Sequence, residues 1–239
     1  MRTQAVFNGK VVLVTGAGRG LGRAVARAFA VSGATVAAND ITPVNLDLTL
    51  RQIQEEGGQA REYIADISKT IPAQIMLDQI LADWGQIDVL VNCASVHPQH
   101  LILDFDEWHW RRTIDVNLNG AFFLTQLAAK AMRTQGGGVI IHLASESASG
   151  PIAGRSAQVI SRSGIVGLVR SAAEELAQYN IRIHAVCPVN LSPAGKEQTN
   201  DPEVINFEPH VELILFLSSQ ASAHLNGLVM DMPEQSMYN

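Results

Sequence analysis

The stretch that decides the fold is KVVLVTGAGRGLGRAVARAFAVSG, residues 10–33. Its first six residues are mostly apolar and β-branched, which is typical of a short buried strand. Its second half carries apolar residues at helical spacing and ends on Gly33, a residue type that often terminates helices. A cluster of glycines joins the two halves, so the sequence predicts a strand, a tight turn and a helix in direct succession.

The same alternation continues along the chain. Apolar runs predict further strands over residues 35–40, 60–67, 87–95, 137–145, 181–188 and 226–232. Helical patterns lie over residues 44–58, 72–85, 106–135, 156–178 and 210–219. Strands that alternate with helices indicate an α/β fold, a doubly wound parallel sheet with helices on both faces. No linker or repeat is evident, so we expect one Rossmann-type domain of about seven strands over residues 1–239.

Composition excludes several classes of protein. The 239 residues are 47% apolar and 17% charged, which is typical of a well-packed globular chain. The net charge of −6 and the lack of a basic block argue against a nucleic-acid partner. We see no signal peptide and no apolar run long enough to span a bilayer. Cys93 and Cys187 are the only cysteines, so we expect a cytoplasmic protein with reduced thiols.

The glycine-rich turn, TGAGRGLG at residues 15–22, follows the first strand and opens the first helix. In this context glycines allow a tight turn and a close approach of the backbone to a pyrophosphate, which the helix N-terminus attracts. A β–α turn without a ligand is the alternative. The candidate dinucleotide contacts in this turn are Gly16, Gly18, Arg19, Gly20, Leu21 and Gly22.

Two acidic residues follow later strands. Asp40 ends the second strand, where a carboxylate accepts hydrogen bonds from ribose hydroxyls and repels a 2′-phosphate. This favours NAD(H) over NADP(H), although Arg19 in the turn argues weakly for the phosphate. Asp66 and Ile67 are placed to meet the adenine; the alternative for Asp66 is a cap for the helix that begins near Ser68.

Four motifs together resemble the short-chain dehydrogenase/reductase family. They are TGAGRGLG, NCAS at residues 92–95, DVNLNGAFF at residues 115–123, and a strand that ends in Ser145. The resemblance is strongest to 3-oxoacyl-acyl-carrier-protein reductases and 3-hydroxyacyl dehydrogenases. It implies hydride transfer between a nicotinamide and a carbonyl or alcohol, and adds Asn92, Ala94 and Pro188 to the expected cofactor contacts. It also implies a homodimer or homotetramer.

The family's chemistry uses a tyrosine, a lysine four residues later, a serine and an asparagine. By resemblance, Asn117 and Ser145 match the asparagine and the serine. The tyrosine and lysine positions hold Gln158 and Arg162, and no tyrosine lies between residues 64 and 178. A glutamine amide donates hydrogen bonds but releases no proton. An arginine stays charged, but its planar guanidinium group differs in shape from the compact ammonium group of lysine.

Further departures from the family pattern surround the expected site. Ser95 and Val189 stand where relatives carry glycines. Only 19 residues, 189–207, separate Pro188 from Glu208, where relatives carry a longer substrate lid. Lids exclude water and orient substrates. The sequence therefore predicts that ordinary family chemistry has been lost.

Three functions remain open at this point. The chain is a non-catalytic dinucleotide-binding protein, or an oxidoreductase with a rearranged proton donor, or a structural subunit of a hetero-oligomer. We interpret Cys93, Cys187 and His142 as packed core residues rather than catalytic groups. The segment DEWHWRR, residues 106–112, is interpreted as a packing or subunit contact, and no metal site is predicted.

Overall fold

Seven parallel strands form one sheet, in the order β3-β2-β1-β4-β5-β6-β7. The computed structural model describes residues 6–144, 153–188 and 206–232. The strands are β1 Val11–Thr15, β2 Thr35–Asp40, β3 Gln59–Ile64, β4 Val89–Asn92, β5 Gly138–Leu143, β6 Ile181–Cys187 and β7 Val229–Asp231. The predicted fold class is confirmed.

Helices connect the strands and cover both faces of the sheet. They are α1 Gly20–Val31, α2 Leu46–Glu55, α3 Thr70–Trp84, α4 Glu107–Ile114, α5 Gly120–Gln135, α6 Ser156–Leu176 and α7 Glu208–Ser218. Within the described ranges, no helix has the length and apolar character needed to cross a bilayer.

Two hydrophobic cores lie on opposite faces of the sheet. Alternate strand residues point to opposite faces, so Leu13 belongs to the core beneath α3, α5 and α6, whereas Val12 and Val14 belong to the core beneath α1, α2 and α7. All five residues of β1 are buried. This explains why the central strands read as continuous apolar runs instead of alternating ones.

The helical pattern over residues 106–135 contains a feature that the sequence did not indicate. A π-helical turn, Asp115–Asn119, separates α4 from α5. Such turns are often found at functional sites, and this one carries Asn117.

The strand order reverses between β1 and β4. From β1 the chain proceeds outward to β2 and β3, then returns to add β4 on the other side. Open α/β sheets bind ligands in the crevice beyond the carboxyl ends of the strands at this switch point. The glycine-rich turn after β1 and the residues after β4 both lie there.

Candidate functional site

The glycine-rich turn packs too closely for side chains at Gly16 and Gly22, among other positions. Gly16 has a φ of +64°, and a Cβ atom there would lie 2.9 Å from the Cα of Ala94. A Cβ atom on Gly22 would lie 2.1 Å from the carbonyl oxygen of Gly16. The glycines therefore bring α1, the turn and the residues after β4 into direct backbone contact.

Gly18 and Asp40 form the part of the crevice nearest β2. The Asp40 carboxylate accepts hydrogen bonds from the backbone N–H groups of Gly18, at 3.0 Å, and Ile41, at 2.7 Å. Arg23 donates from its side chain to the carbonyl oxygen of Gly18 and to the hydroxyl of Thr49. The carboxylate is thus held at the mouth of the crevice by backbone donors.

The first turn of α1 faces the crevice. Gly20 begins this helix with a φ of +53°, Leu21 is buried, and Arg19 is exposed. The Arg19 side chain makes no capping hydrogen bond to the helix in the described structure. Phe207, before α7, lies on the same side, since a Cβ atom on Gly20 would be 4.0 Å from its Cζ.

Asp66 lies in a turn between β3 and α3. Its Oδ1 accepts from both the backbone N–H and the hydroxyl of Ser68, and its Oδ2 accepts from Arg112 at 3.2 Å. Burial alone would raise the pKa of Asp66, but the bonds from Ser68 and Arg112 outweigh it and lower the pKa below its usual value. Asp66 caps this turn rather than α3, whose N-cap residue is Lys69. Ile67 is buried against Gly120.

A chain of buried polar side chains supports the ends of β1, β4 and β5. Asn92 accepts a hydrogen bond from Thr15 at 2.6 Å and donates to Nδ1 of His142 at 3.3 Å. His142 donates through Nε2 to Thr125, whose hydroxyl donates to the carbonyl oxygen of Ala121. Burial lowers the pKa of His142 to about 4, so its imidazole is neutral. Asn92 and His142 position the strand ends.

Asn117 holds the segment after β4 in place. Its side-chain oxygen accepts from the backbone N–H of Val96 at 2.9 Å, and its Nδ2 donates to the carbonyl oxygen of Val96 at 3.0 Å. The same Nδ2 lies 3.4 Å from the hydroxyl of Ser161, on α6. The π-helical turn thereby links α6 to the crevice.

Gln158 and Arg162 lie one turn apart on α6, and both are buried. Arg162 donates from Nη1 to the carbonyl oxygens of Leu143, at 3.0 Å, and Ala144. Its Nη2 lies 3.5 Å from Nε2 of His97. Burial lowers the pKa of Arg162 to about 10, which still leaves it charged at neutral pH. The guanidinium therefore lies at the carboxyl end of β5.

His97 contacts both Arg162 and the hydroxyl of Ser95, which lies 2.9 Å from its Nε2. The side chain of His97 is partly exposed, yet desolvation by its neighbours lowers its pKa to about 3, with the charges of Arg162, Arg155 and Arg19 adding to the effect. The ring is therefore a neutral hydrogen-bonding group. Sequence reasoning missed His97, Ser161 and Phe207, since their only signal is proximity that the fold creates.

The remaining candidates are divided between the described structure and the rest of the chain. Pro188 is buried after β6, whereas Ser145 and Val189 lie outside the described residues.

Burial raises the pKa of both thiols, Cys93 and Cys187, to about 12, with Asp231 contributing at Cys187. Neither is a thiolate at neutral pH. A cleft of about 380 Å³ near Lys69 and Phe123 contains none of the predicted site residues.

Comparison with known proteins identifies the class to which this fold and crevice belong. The model of the short chain dehydrogenase family matches residues 10–203. The chain therefore belongs to the short-chain dehydrogenase/reductase family of oxidoreductases.

Individual relatives agree with this assignment. An uncharacterized oxidoreductase of Thermotoga maritima is 38% identical over 189 residues, covering 79% of this chain and 74% of the relative. A 3-oxoacyl-acyl-carrier-protein reductase of the same organism is 31% identical over 236 residues, covering 94% and 96%.

Solved structures share the fold as well. NAD+-bound xylitol dehydrogenase superposes with a TM-score of 0.86 at 27% identity, covering 95% of this chain and 98% of its own. A short-chain type dehydrogenase/reductase from Mycobacterium marinum gives a TM-score of 0.87 at 31% identity, covering 98% of each chain.

Proposed function

We propose that this chain binds NAD(H) in the crevice between the glycine-rich turn and the ends of β2 and β4, and that it has lost the ordinary proton-transfer chemistry of its family. The observation that carries the proposal is the Arg162 guanidinium, which is buried and bonded to the carbonyl oxygens of Leu143 and Ala144. In family chemistry this position is a lysine that holds the nicotinamide ribose and lowers a tyrosine pKa. Arg162 has no such tyrosine one turn away, because Gln158 stands there.

The preference for NAD(H) is supported by Asp40. Its carboxylate lies beside Gly18 in the turn and is held there by two backbone N–H groups. Ribose hydroxyls donate to such a carboxylate, whereas a 2′-phosphate would be repelled by it. Arg19 is exposed, so its guanidinium would have to lose hydration before it could bind a 2′-phosphate. We therefore favour NAD(H) over NADP(H).

The loss of proton transfer is supported by what surrounds Gln158. A glutamine side chain cannot release a proton. Among the described residues, His97 is a titratable side chain in contact with Arg162, but a pKa of about 3 leaves it without a proton to donate at neutral pH. Of the described tyrosines, Tyr63 donates to Asp83 on α3, and Tyr179 packs against Arg133.

An active oxidoreductase with a rearranged proton donor is the second candidate. Asn117 favours it, because this side chain is buried at the crevice and keeps the backbone of Val96 in place. Such an enzyme would need a proton source other than His97, for example a water molecule. It would turn over a carbonyl or alcohol with NAD(H).

Titration of the unmodified chain with NADH and NADPH, followed by nicotinamide fluorescence, tests the cofactor. We expect NADH to bind more tightly, and Asp40→Asn to reduce the preference by roughly tenfold, about 1.4 kcal/mol. Asp47→Asn is the matched control, since Asp47 is an exposed carboxylate in the first turn of α2. Tighter binding of NADPH to the unmodified chain would contradict the cofactor assignment.

Hydride transfer is measured separately, by nicotinamide absorbance with a panel of ketones and alcohols. We expect no turnover above that of the solution without protein. Robust turnover by the unmodified chain would select the second candidate instead.

A further inference from the structure

A cluster of two histidines and one aspartate lies outside the dinucleotide crevice. One donor atom each from His100, Asp106 and His109 lies within 4.8 Å of the other two. The imidazole rings of His100 and His109 have centroids 4.6 Å apart and are inclined by 42°. His100 lies in the segment before α4, Asp106 is the N-cap residue of α4, and His109 lies in its first turn.

Helix capping explains part of this cluster but not all of it. Asp106 accepts a hydrogen bond from the backbone N–H of His109 at 2.9 Å and a second from the Nδ1 of its ring. A capping aspartate needs only the first of these bonds. It does not require a second imidazole from a different segment to lie against the first. His100 therefore calls for a separate explanation.

The segment that carries His100 is anchored by contacts from other parts of the chain. The backbone N–H of His100 donates to the carbonyl oxygen of Gly154 at 2.9 Å, just before α6. The Phe105 ring packs edge-on against His100 at 5.3 Å and against Trp110 at 6.4 Å. These contacts hold His100 beside α4, so the three donors are brought together by the fold and not by sequence proximity alone.

We propose that His100, Asp106 and His109 bind a divalent zinc-class ion, with Zn²⁺ as the expected occupant. Two imidazole nitrogens and one carboxylate oxygen are a donor set that zinc accepts, with a fourth position left for water. Ligand atoms at about 2.0–2.2 Å from a tetrahedral ion lie about 3.4 Å apart. Donors now within 4.8 Å of one another reach that arrangement by side-chain rotation.

The bound ion would tie the segment after β4 to the start of α4. Because neither His100 nor His109 contacts Arg162 or Asp40 in the described structure, the site stands independently of the proposed dinucleotide function.

Calorimetry with ZnCl₂ on the full chain, after chelator treatment and removal of any affinity tag, tests the site. We expect one ion per chain. His100→Ala and His109→Ala should each weaken zinc binding by at least about tenfold, because mutation of residues that only hydrogen-bond to metal ligands already costs that much affinity. His224→Ala, at an exposed histidine outside the cluster, should leave it unchanged.

Asp106→Asn separates metal binding from helix capping. Asparagine caps helices about as well as aspartate, so α4 should form normally while the ion loses its anionic ligand. A Co²⁺ absorption spectrum typical of nitrogen and oxygen ligands would support the site. A spectrum typical of thiolate ligands would show that the ion binds Cys93 or Cys187 instead and would contradict the proposal. No saturable zinc binding, or equal binding by His100→Ala, would overturn the proposal.

Discussion

Gly18 shows how one missing methyl group shapes the cofactor crevice. A Cβ atom at this position would lie 2.6 Å from Oδ2 of Asp40 and 2.9 Å from the Cβ of Asn45. The contact with Asp40 involves a carboxylate that two backbone N–H groups hold in place, Gly18 donating to Oδ2 and Ile41 to Oδ1. A larger residue would therefore move the carboxylate that we assign to the ribose.

Gly18→Ala should weaken NADH binding by at least about tenfold, because Asp40 must rotate away from its backbone donors. Gly167→Ala is the matched control, since a Cβ atom there meets no atom within 4 Å and Gly167 lies within α6. NADH fluorescence titration measures both. Equal affinity for the two variants would show that Asp40 has no part in binding the nucleotide.

Sequence reasoning identified the glycines and Asp40 because their spacing from β1 and β2 reflects local backbone needs. It did not reveal that Asp66 pairs with Arg112, which lies 46 residues further along the chain. It also gave residues 106–112, and with them His109, a packing or subunit-contact role and assigned no role to His100, because a donor cluster is visible only when a fold brings separate segments together. Long-range contacts of single residues leave no periodic trace in a sequence.

At the scale of elements, a line of buried polar groups connects β1, β4, β5 and α5. His142 lies at its centre, accepting from Asn92 and donating to Thr125. This arrangement requires the neutral ring, with its proton on Nε2. Protonation would place a second N–H against the Asn92 donor in a site without solvent, which agrees with a pKa near 4.

Acid should therefore destabilise the protein through His142. The folded pKa of about 4 lies below the unfolded value of about 6.5, so protons bind the unfolded state preferentially. The contribution of neutral His142 is fully present above about pH 6.5 and is lost as the pH falls toward 4. Each such histidine adds a slope of up to about 1.4 kcal/mol per pH unit in this window.

Urea unfolding at a series of pH values measures this slope. His142→Asn should flatten it by up to about 1.4 kcal/mol per pH unit, while His224→Asn, at an exposed histidine, should not. His184 and His97 retain slopes of their own, since burial is the main cause that lowers their pKa values to about 4 and about 3. An unchanged slope in His142→Asn would rule out a neutral buried ring.

The order and type of the elements were predictable, and their detailed ends were not. Short apolar runs between helical patterns indicated the strands, and the central strands β1, β2, β4, β5 and β6 are buried on both faces. The edge strands β3 and β7 are more exposed. The predicted strand over residues 87–95 is in fact Val89–Asn92, since the chain leaves the sheet to form the crevice. The π-helical turn Asp115–Asn119 was not predicted, because the apolar spacing over residues 106–135 does not distinguish it from an α-helix.

At the scale of the whole molecule, the helices α4 to α6 present large apolar side chains to solvent. Trp108, Phe122 and Ile160 are 67%, 48% and 50% exposed. Two small residues of α6 pack within the chain instead, Gly164 against Leu118 and Ala173 against Gly227. The expectation of a homodimer or homotetramer therefore rests on these exposed apolar side chains.

Size-exclusion chromatography with light scattering should give a dimer or tetramer for the unmodified chain. Phe122→Glu combined with Ile160→Glu should shift it to a smaller species, because charges would be buried without partners. Ile75→Glu is the control, at a 52% exposed isoleucine of α3 outside these helices. A monomeric unmodified chain would contradict the assembly.

Restoring the missing acid–base pair tests how far the whole site has diverged. In Gln158→Tyr with Arg162→Lys, both new side chains lie one turn apart on the buried face of α6, with Asn117 in place. If the pair were the only defect, turnover should rise by the full contribution of proton transfer, about 10²–10⁴-fold.

We expect a rise of less than about 10²-fold on oxoacyl and hydroxyacyl substrates. Orientation of a bound substrate supplies roughly 7–11 kcal/mol of a barrier, more than the acid–base pair. Only 19 residues, 189–207, join Pro188 to Glu208, which leaves little chain to form a lid, and Ser95 binds His97 where relatives have glycine. NADH titration of the double variant shows first that the crevice is intact, and nicotinamide absorbance then measures turnover. Robust turnover by the double variant would mean that the short segment orients substrates well enough and that Gln158 and Arg162 alone account for the lost activity.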